Sequence, residues 1–108
     1  MDQPPDDGDD MGPTALALSV MSFAGCYASI FALTARKMRI QLEDLDVKIE
    51  AVKSEEIGTI SSASLDIMVK TSASDDRLER LHQLTLRNCP VGKLFEKAGV
   101  KTEYRIHR

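Results

Sequence analysis

The chain has no tryptophan, only two tyrosines and three phenylalanines. So sparse an aromatic set offers no platform for stacking successive bases. A basic stripe is missing as well: 14 Lys and Arg stand against 17 Asp and Glu, for a net charge of −3. The electrostatic footprint of a nucleic-acid binder is therefore absent, and no nucleic-acid partner is expected. Cysteine is scarce, with Cys26 and Cys89 far from any CxxC pattern, so a zinc site is not expected. GxGxxG, Walker and HExxH patterns do not occur, which removes the usual signatures of dinucleotide, phosphate-loop and zinc-hydrolase chemistry. No cofactor and no metal is expected. His82 and His107 stand alone and read as packing or surface residues, and no Ser-His-Asp set is apparent. No basic segment precedes the long apolar run, so a secretory leader is not expected.

That apolar run organises the rest. From Thr14 through Leu33 no residue is charged: TALALSVMSFAGCYASIFAL. Alanine and leucine favour a helix here, with Thr14 as its N-cap and Gly12-Pro13 setting the entry. At about 100° per residue, Ala15, Ser19, Ser22, Cys26, Ser29 and Leu33 share one stripe. Leu16, Val20, Phe23, Tyr27, Phe31 and Met38 lie round to one side. The helix ends at Arg36-Lys37-Met38-Arg39, cations that suit its negative pole. A helix apolar on every side must be buried on every side. A membrane span is the alternative, since about 18 uncharged residues are long enough for one. Three serines, Thr14 and Gly25 weigh against it, and no membrane association is expected.

Residues 1–13 hold Pro4-Pro5, Gly8, Pro13 and five of the acids, the composition of an acidic disordered arm. Residues 14–108 read as one domain. Residues 45–52 alternate, with Leu45, Val47, Ile49 and Ala51 on one face, as a half-buried strand does. A second strand covers about 59–71, with Leu65, Ile67 and Val69 inward, close enough to the first for an antiparallel hairpin. Ser74 caps a second helix, with Asp75 and Asp76 at its positive end and Leu78, Leu81 and Leu84 or Thr85 as its apolar face. Pro90 opens a short third helix, Gly99 closes it, and Val100, Thr102, Tyr104 and Ile106 alternate as a last strand. The expected class is α+β, order α-β-β-α-α-β, with an antiparallel three-stranded sheet. Three strands cover one face of the long helix. The other sides need the shorter helices and a second copy, so a homodimer is expected.

The two cysteines suggest redox work in a reducing, cytoplasmic setting, though spacing alone favours two buried thiols packing as small hydrophobes. Cys26 sits mid-helix in apolar surroundings, which raise a thiol's pKa. Cys89, at the start of the third helix, would be the more acidic of the two.

Gly12-Pro13-Thr14-Ala15-Leu16 followed by Ala24-Gly25-Cys26 resembles the "GPTPLELxxAALxGC" helix of the OsmC/Ohr family. Leu42-Glu43-Asp44-Leu45-Asp46-Val47 is similar to the strand that follows it there, and Asn88-Cys89-Pro90-Val91 to the family's second cysteine motif. The resemblance covers about residues 8 to 106. It implies an intertwined dimer that reduces organic hydroperoxides, with Cys26 the peroxidatic and Cys89 the resolving thiol, and an external dithiol as reductant.

The resemblance also implies strands before the helix, one of them carrying an arginine that holds the thiolate, and a glutamate in the helix's first turns. Here no arginine precedes Cys26, and Ala15-Leu16-Ala17 has no acid. Weak peroxidase activity is the expectation, with Arg87 as a replacement cation. The alternative is a non-catalytic dimeric module that binds a small apolar ligand.

Overall fold

The computed structural model describes residues 15–108. The acidic arm and the Thr14 cap lie outside them. Helix α1 spans Ala15–Lys37. It stops where Arg39 turns into the left-handed region at φ 61°. Arg39 N–H then donates to the Arg36 carbonyl at 3.1 Å, and Ile40 N–H to the Ala35 carbonyl at 2.8 Å. That pair of bonds is a Schellman closure, and the buried side chains of Ile40 and Ala35 supply its apolar contact.

Strands β1 (Leu42–Ser54) and β2 (Thr59–Thr71) form the antiparallel hairpin. Its turn closes through Gly58, at φ 74°, whose N–H donates to the Ser54 carbonyl. Register places Val47 opposite Ile67 and Ile49 opposite Leu65, so the inward rows match and face the helices. Helix α2 (Asp75–Asn88) begins at Ser74, whose hydroxyl accepts from the Arg77 N–H at 3.3 Å. Helix α3 (Pro90–Lys97) follows after one residue. It closes as α1 does, with Gly99 at φ 88° in the place of Arg39 and Val100 N–H donating to the Phe95 carbonyl.

Strand β3 (Lys101–His107) corrects one expectation. It pairs with β2 in parallel, Leu65 beside Tyr104 and Ile67 beside Ile106, so the sheet is mixed, in the order β1-β2-β3. The reason is topological. Helices α2 and α3 carry the chain back across the face of the sheet, and such a crossover returns the next strand in the direction of the last.

Helices cover one face of the sheet. The other face is polar, with Asp66 accepting from Arg105 Nε and His107 Nε2, both at 2.9 Å. In the core, α1 contributes the i, i+4 row Phe23, Tyr27, Phe31 and Ala35, and α2 contributes Leu78, Leu81, His82 and Thr85. Helix α1 has the length and composition of a membrane span, yet this row is seated in the core of a folded domain. Its other side is open in a single chain: Leu18, Met21 and Leu33 are 37%, 58% and 51% exposed.

Candidate redox site

Pro90 shapes the site. A proline cannot sit inside a helix, and it forces the residue before it to be extended. Cys89 accordingly takes φ −91° and ψ 102°, ending α2 and beginning α3. The break turns its side chain toward α1, where Cys26 lies three turns along. The two sulfurs, 63 residues apart in sequence, are 3.4 Å apart, with the Cys89 thiol donating toward Cys26. Both are free thiols. A disulfide requires about 2.05 Å, so a shift of roughly 1.4 Å in the sulfurs would join them.

The two thiols differ in surroundings. Cys26 is partly exposed, whereas Cys89 is 1% exposed. Burial pushes the Cys89 thiol up to about 11, and the adjoining Cys26 thiol adds to the rise. The Gly92 and Val91 N–H groups at the start of α3 oppose it, but neither makes a capping hydrogen bond. The helix-end effect expected from the sequence is thus present and outweighed: burial raises the Cys89 thiol more than its position at a helix start lowers it. No cation is among the groups acting on it. Arg87 is exposed and makes no hydrogen bond or ion pair with the described residues.

Gly92 is part of the packing. A Cβ at that position would lie 3.3 Å from Cys89 Sγ and 3.3 Å from Phe23 Cε1. A side chain at Gly92 would press on both, so the glycine lets α3 pack closely against Cys89 and α1.

Beside the thiols lies an aromatic cluster. The Tyr27 hydroxyl and His82 Nδ1 are 2.6 Å apart and buried. Burial raises the Tyr27 phenol well above its ordinary range and lowers the His82 imidazole. The phenol therefore stays protonated and donates to a neutral ring whose own proton is on Nε2. Tyr104 stacks on Tyr27 at 5.7 Å and meets His82 edge-on at 5.2 Å. Phe23 closes the cluster, at 4.8 Å from Phe95 and 6.4 Å from Tyr104.

His82 is thus a packing histidine with a specific partner, and His107 a surface one on Asp66. Sequence reading gave Gly92, Tyr104 and the Tyr27–His82 pair no part in the site. One signal was available: Leu78, Leu81, His82 and Thr85 fall on a single helical row, which points His82 inward. Among the described residues no three His, Cys, Asp or Glu side chains gather as a metal site would require.

A family model described as OsmC-like protein matches residues 7–105. The sequence matches no curated protein. Among solved structures, the fold is similar to an OsmC-like protein from Mycoplasma pneumoniae, at TM-score 0.82 and 15% identity, over 89% of this chain and 72% of that one. It is similar to an organic hydroperoxide resistance protein OsmC from Legionella pneumophila, at 0.76 and 19%, over 98% and 78%. A third likeness is to the organic hydroperoxide resistance protein OhrB of Bacillus subtilis, at 0.69 and 16%, over 91% and 73%.

Proposed function

This chain belongs to the OsmC-like protein family, and on that premise we propose that it is a thiol peroxidase that reduces organic hydroperoxides through Cys26 and Cys89. The observation that carries the reading is the 3.4 Å separation of two free thiols, one partly exposed and one buried. Cys26 is the accessible sulfur and attacks. Its thiolate takes the terminal peroxide oxygen, leaving the alcohol and a Cys26 sulfenic acid. The Cys89 thiol condenses with that sulfenic acid, releasing water and forming the disulfide. An external dithiol restores both thiols by exchange. A reduced pair of this kind belongs in the cytoplasm.

The reaction is slow in a single chain. A charge-assisted hydrogen bond to a thiolate contributes about 1.5–3 kcal/mol, and its absence costs roughly ten- to hundredfold in rate. A second copy seated on the open side of α1, over Leu18, Met21 and Leu33, would bury that face and could bring a cation to the site. Dithiol-dependent consumption of cumene hydroperoxide tests the proposal: turnover by the wild type and none by Cys26→Ser supports it, and equal rates contradict it.

A second reading has one observation in its favour. An apolar groove of about 180 Å³ runs between α1, β2 and α3, lined by Leu16, Ile60, Leu94, Phe95 and Val100. A non-catalytic module binding a small apolar ligand there would show no hydroperoxide turnover but would quench or enhance an apolar fluorophore.

A further inference from the structure

The chain contains two tyrosines, two cysteines and no tryptophan. Both phenols and both thiols lie in the same cluster. Cys26 precedes Tyr27 on α1. Cys89 and Phe23 belong to the same core cluster and both border Gly92, Phe23 meets Tyr104 edge-on, and Tyr104 stacks on Tyr27. The two-electron cycle uses the sulfurs and leaves the phenols and His82 without a task.

A buried phenol is a poor one-electron donor unless its proton has somewhere to go, because the oxidised form is strongly acidic and an unpaired charge in apolar surroundings is costly. Tyr27 has that acceptor. His82 Nδ1 is 2.6 Å from its oxygen, and His82 is only 8% exposed, so water does not compete for the bond. The neutral imidazole has one lone pair, and it is aimed at the phenol.

We propose that Tyr27 and His82 form a proton-coupled one-electron donor that returns an oxidised thiol of this site to its reduced state. The oxidant by class is an alkoxyl radical, the homolysis product of an organic hydroperoxide. It takes a hydrogen atom from a thiol, giving the alcohol and a thiyl radical. Tyr27 passes one electron to that sulfur, which becomes a thiolate. The phenolic O–H bond breaks and its proton moves to His82 Nδ1, leaving a neutral phenoxyl radical and an imidazolium. The imidazolium proton returns to the thiolate, and an external thiol gives a hydrogen atom to the phenoxyl radical, itself becoming a thiyl radical in solution. Tyr104, stacked on Tyr27, shelters the phenoxyl radical from solvent.

The test uses flash photolysis of a ruthenium(II) tris-bipyridyl complex with a cobalt(III) pentaammine electron acceptor, which leaves ruthenium(III) as the one-electron oxidant, with electron paramagnetic resonance and thiol titration on the full chain. With no tryptophan present, any aromatic radical belongs to Tyr27 or Tyr104. The wild type should give a phenoxyl signal and keep most of its thiols. Tyr27→Phe should lose the signal at least fivefold and consume thiols several times faster. His82→Gln, which keeps Tyr27 but removes the ring acceptor, should lower the signal similarly, and Tyr104→Phe should retain it. Circular dichroism confirms that each variant is folded; should Tyr27→Phe fail to fold, His82→Gln decides. An undiminished signal in Tyr27→Phe or His82→Gln, or wild-type thiols lost as fast as in Tyr27→Phe, overturns the proposal. The oxidant is not a peroxide, so this outcome is independent of whether the hydroperoxide assay succeeds.

Discussion

Tyr27 and His82, 55 residues apart in sequence, share a 2.6 Å hydrogen bond inside the core, and the phenol donates in it only while His82 is neutral. Protonation would occupy Nδ1 and remove the acceptor. Burial holds the His82 pKa below its unfolded value, with Glu79 opposing weakly. As pH falls, the unfolded chain therefore binds the proton first. Stability is at its full value above the unfolded pKa of about 6.5 and declines below it, by at most about 1.4 kcal/mol per pH unit. Urea titrations between pH 7.5 and 5 should show this decline, and His82→Gln should flatten it. Asp66, which the Arg105 hydrogen bond and then the His107 hydrogen bond hold below the usual carboxylate range, acts only at lower pH, under about 4. A wild-type profile as flat as that of His82→Gln would contradict the account of this pair.

Gly92→Ala should destabilise the fold by about 1 kcal/mol, the cost of overpacking less the gain in helix propensity. The new methyl would press on Cys89 Sγ and Phe23 Cε1, each 3.3 Å away. Both side chains are fully or almost fully buried, so neither can swing aside. Denaturant unfolding measures the cost. In the folded state Cys89 should become more reactive toward iodoacetamide as the contact opens. Wild-type stability together with wild-type alkylation would show that α3 has room to spare.

Met21→Glu tests the open side of α1. Met21 is 58% exposed in the single chain, and a substitution there costs a monomer no more than about 0.5 kcal/mol. In a dimer joined over Leu18, Met21 and Leu33 it would place an unpaired charge in an interface that needs about 800 Å² from each partner. Sedimentation velocity at micromolar concentration should give a dimer for the wild type and a monomer for Met21→Glu. A monomeric wild type would remove the second copy from the account.

Local signals in the chain carried much of this architecture, and tertiary effects carried the rest. The alternation in 59–71 and the Ser74 cap mark β2 and α2 at the bounds found, because pleat and cap are set by neighbours in sequence. The direction of β3 was not legible, since it depends on how α2 and α3 cross the sheet. Arg39 gave no sign of a left-handed backbone, a conformation more often taken by glycine. Cys89 shows the same division. Its place at a helix start was readable, but the burial that overrides the helix end is set by the tertiary packing that also brings Cys26 to it from 63 residues away. The resemblance of the α1 segment and of the motif around Cys89 to the family's two cysteine motifs singled out both thiols and implied that they pair, whereas periodicity alone does not bring them together.

The most direct test of the central claim is the intact mass of the reduced protein after one equivalent of cumene hydroperoxide. Two thiols at 3.4 Å, with Cys26 accessible and Cys89 ready to condense, should yield a chain lighter by two hydrogens, restored by dithiothreitol. Cys89→Ser should instead gain one oxygen at Cys26, and Cys26→Ser should remain unchanged. A wild type that keeps its mass, or gains oxygen without losing hydrogen, would contradict the Cys26–Cys89 peroxidase.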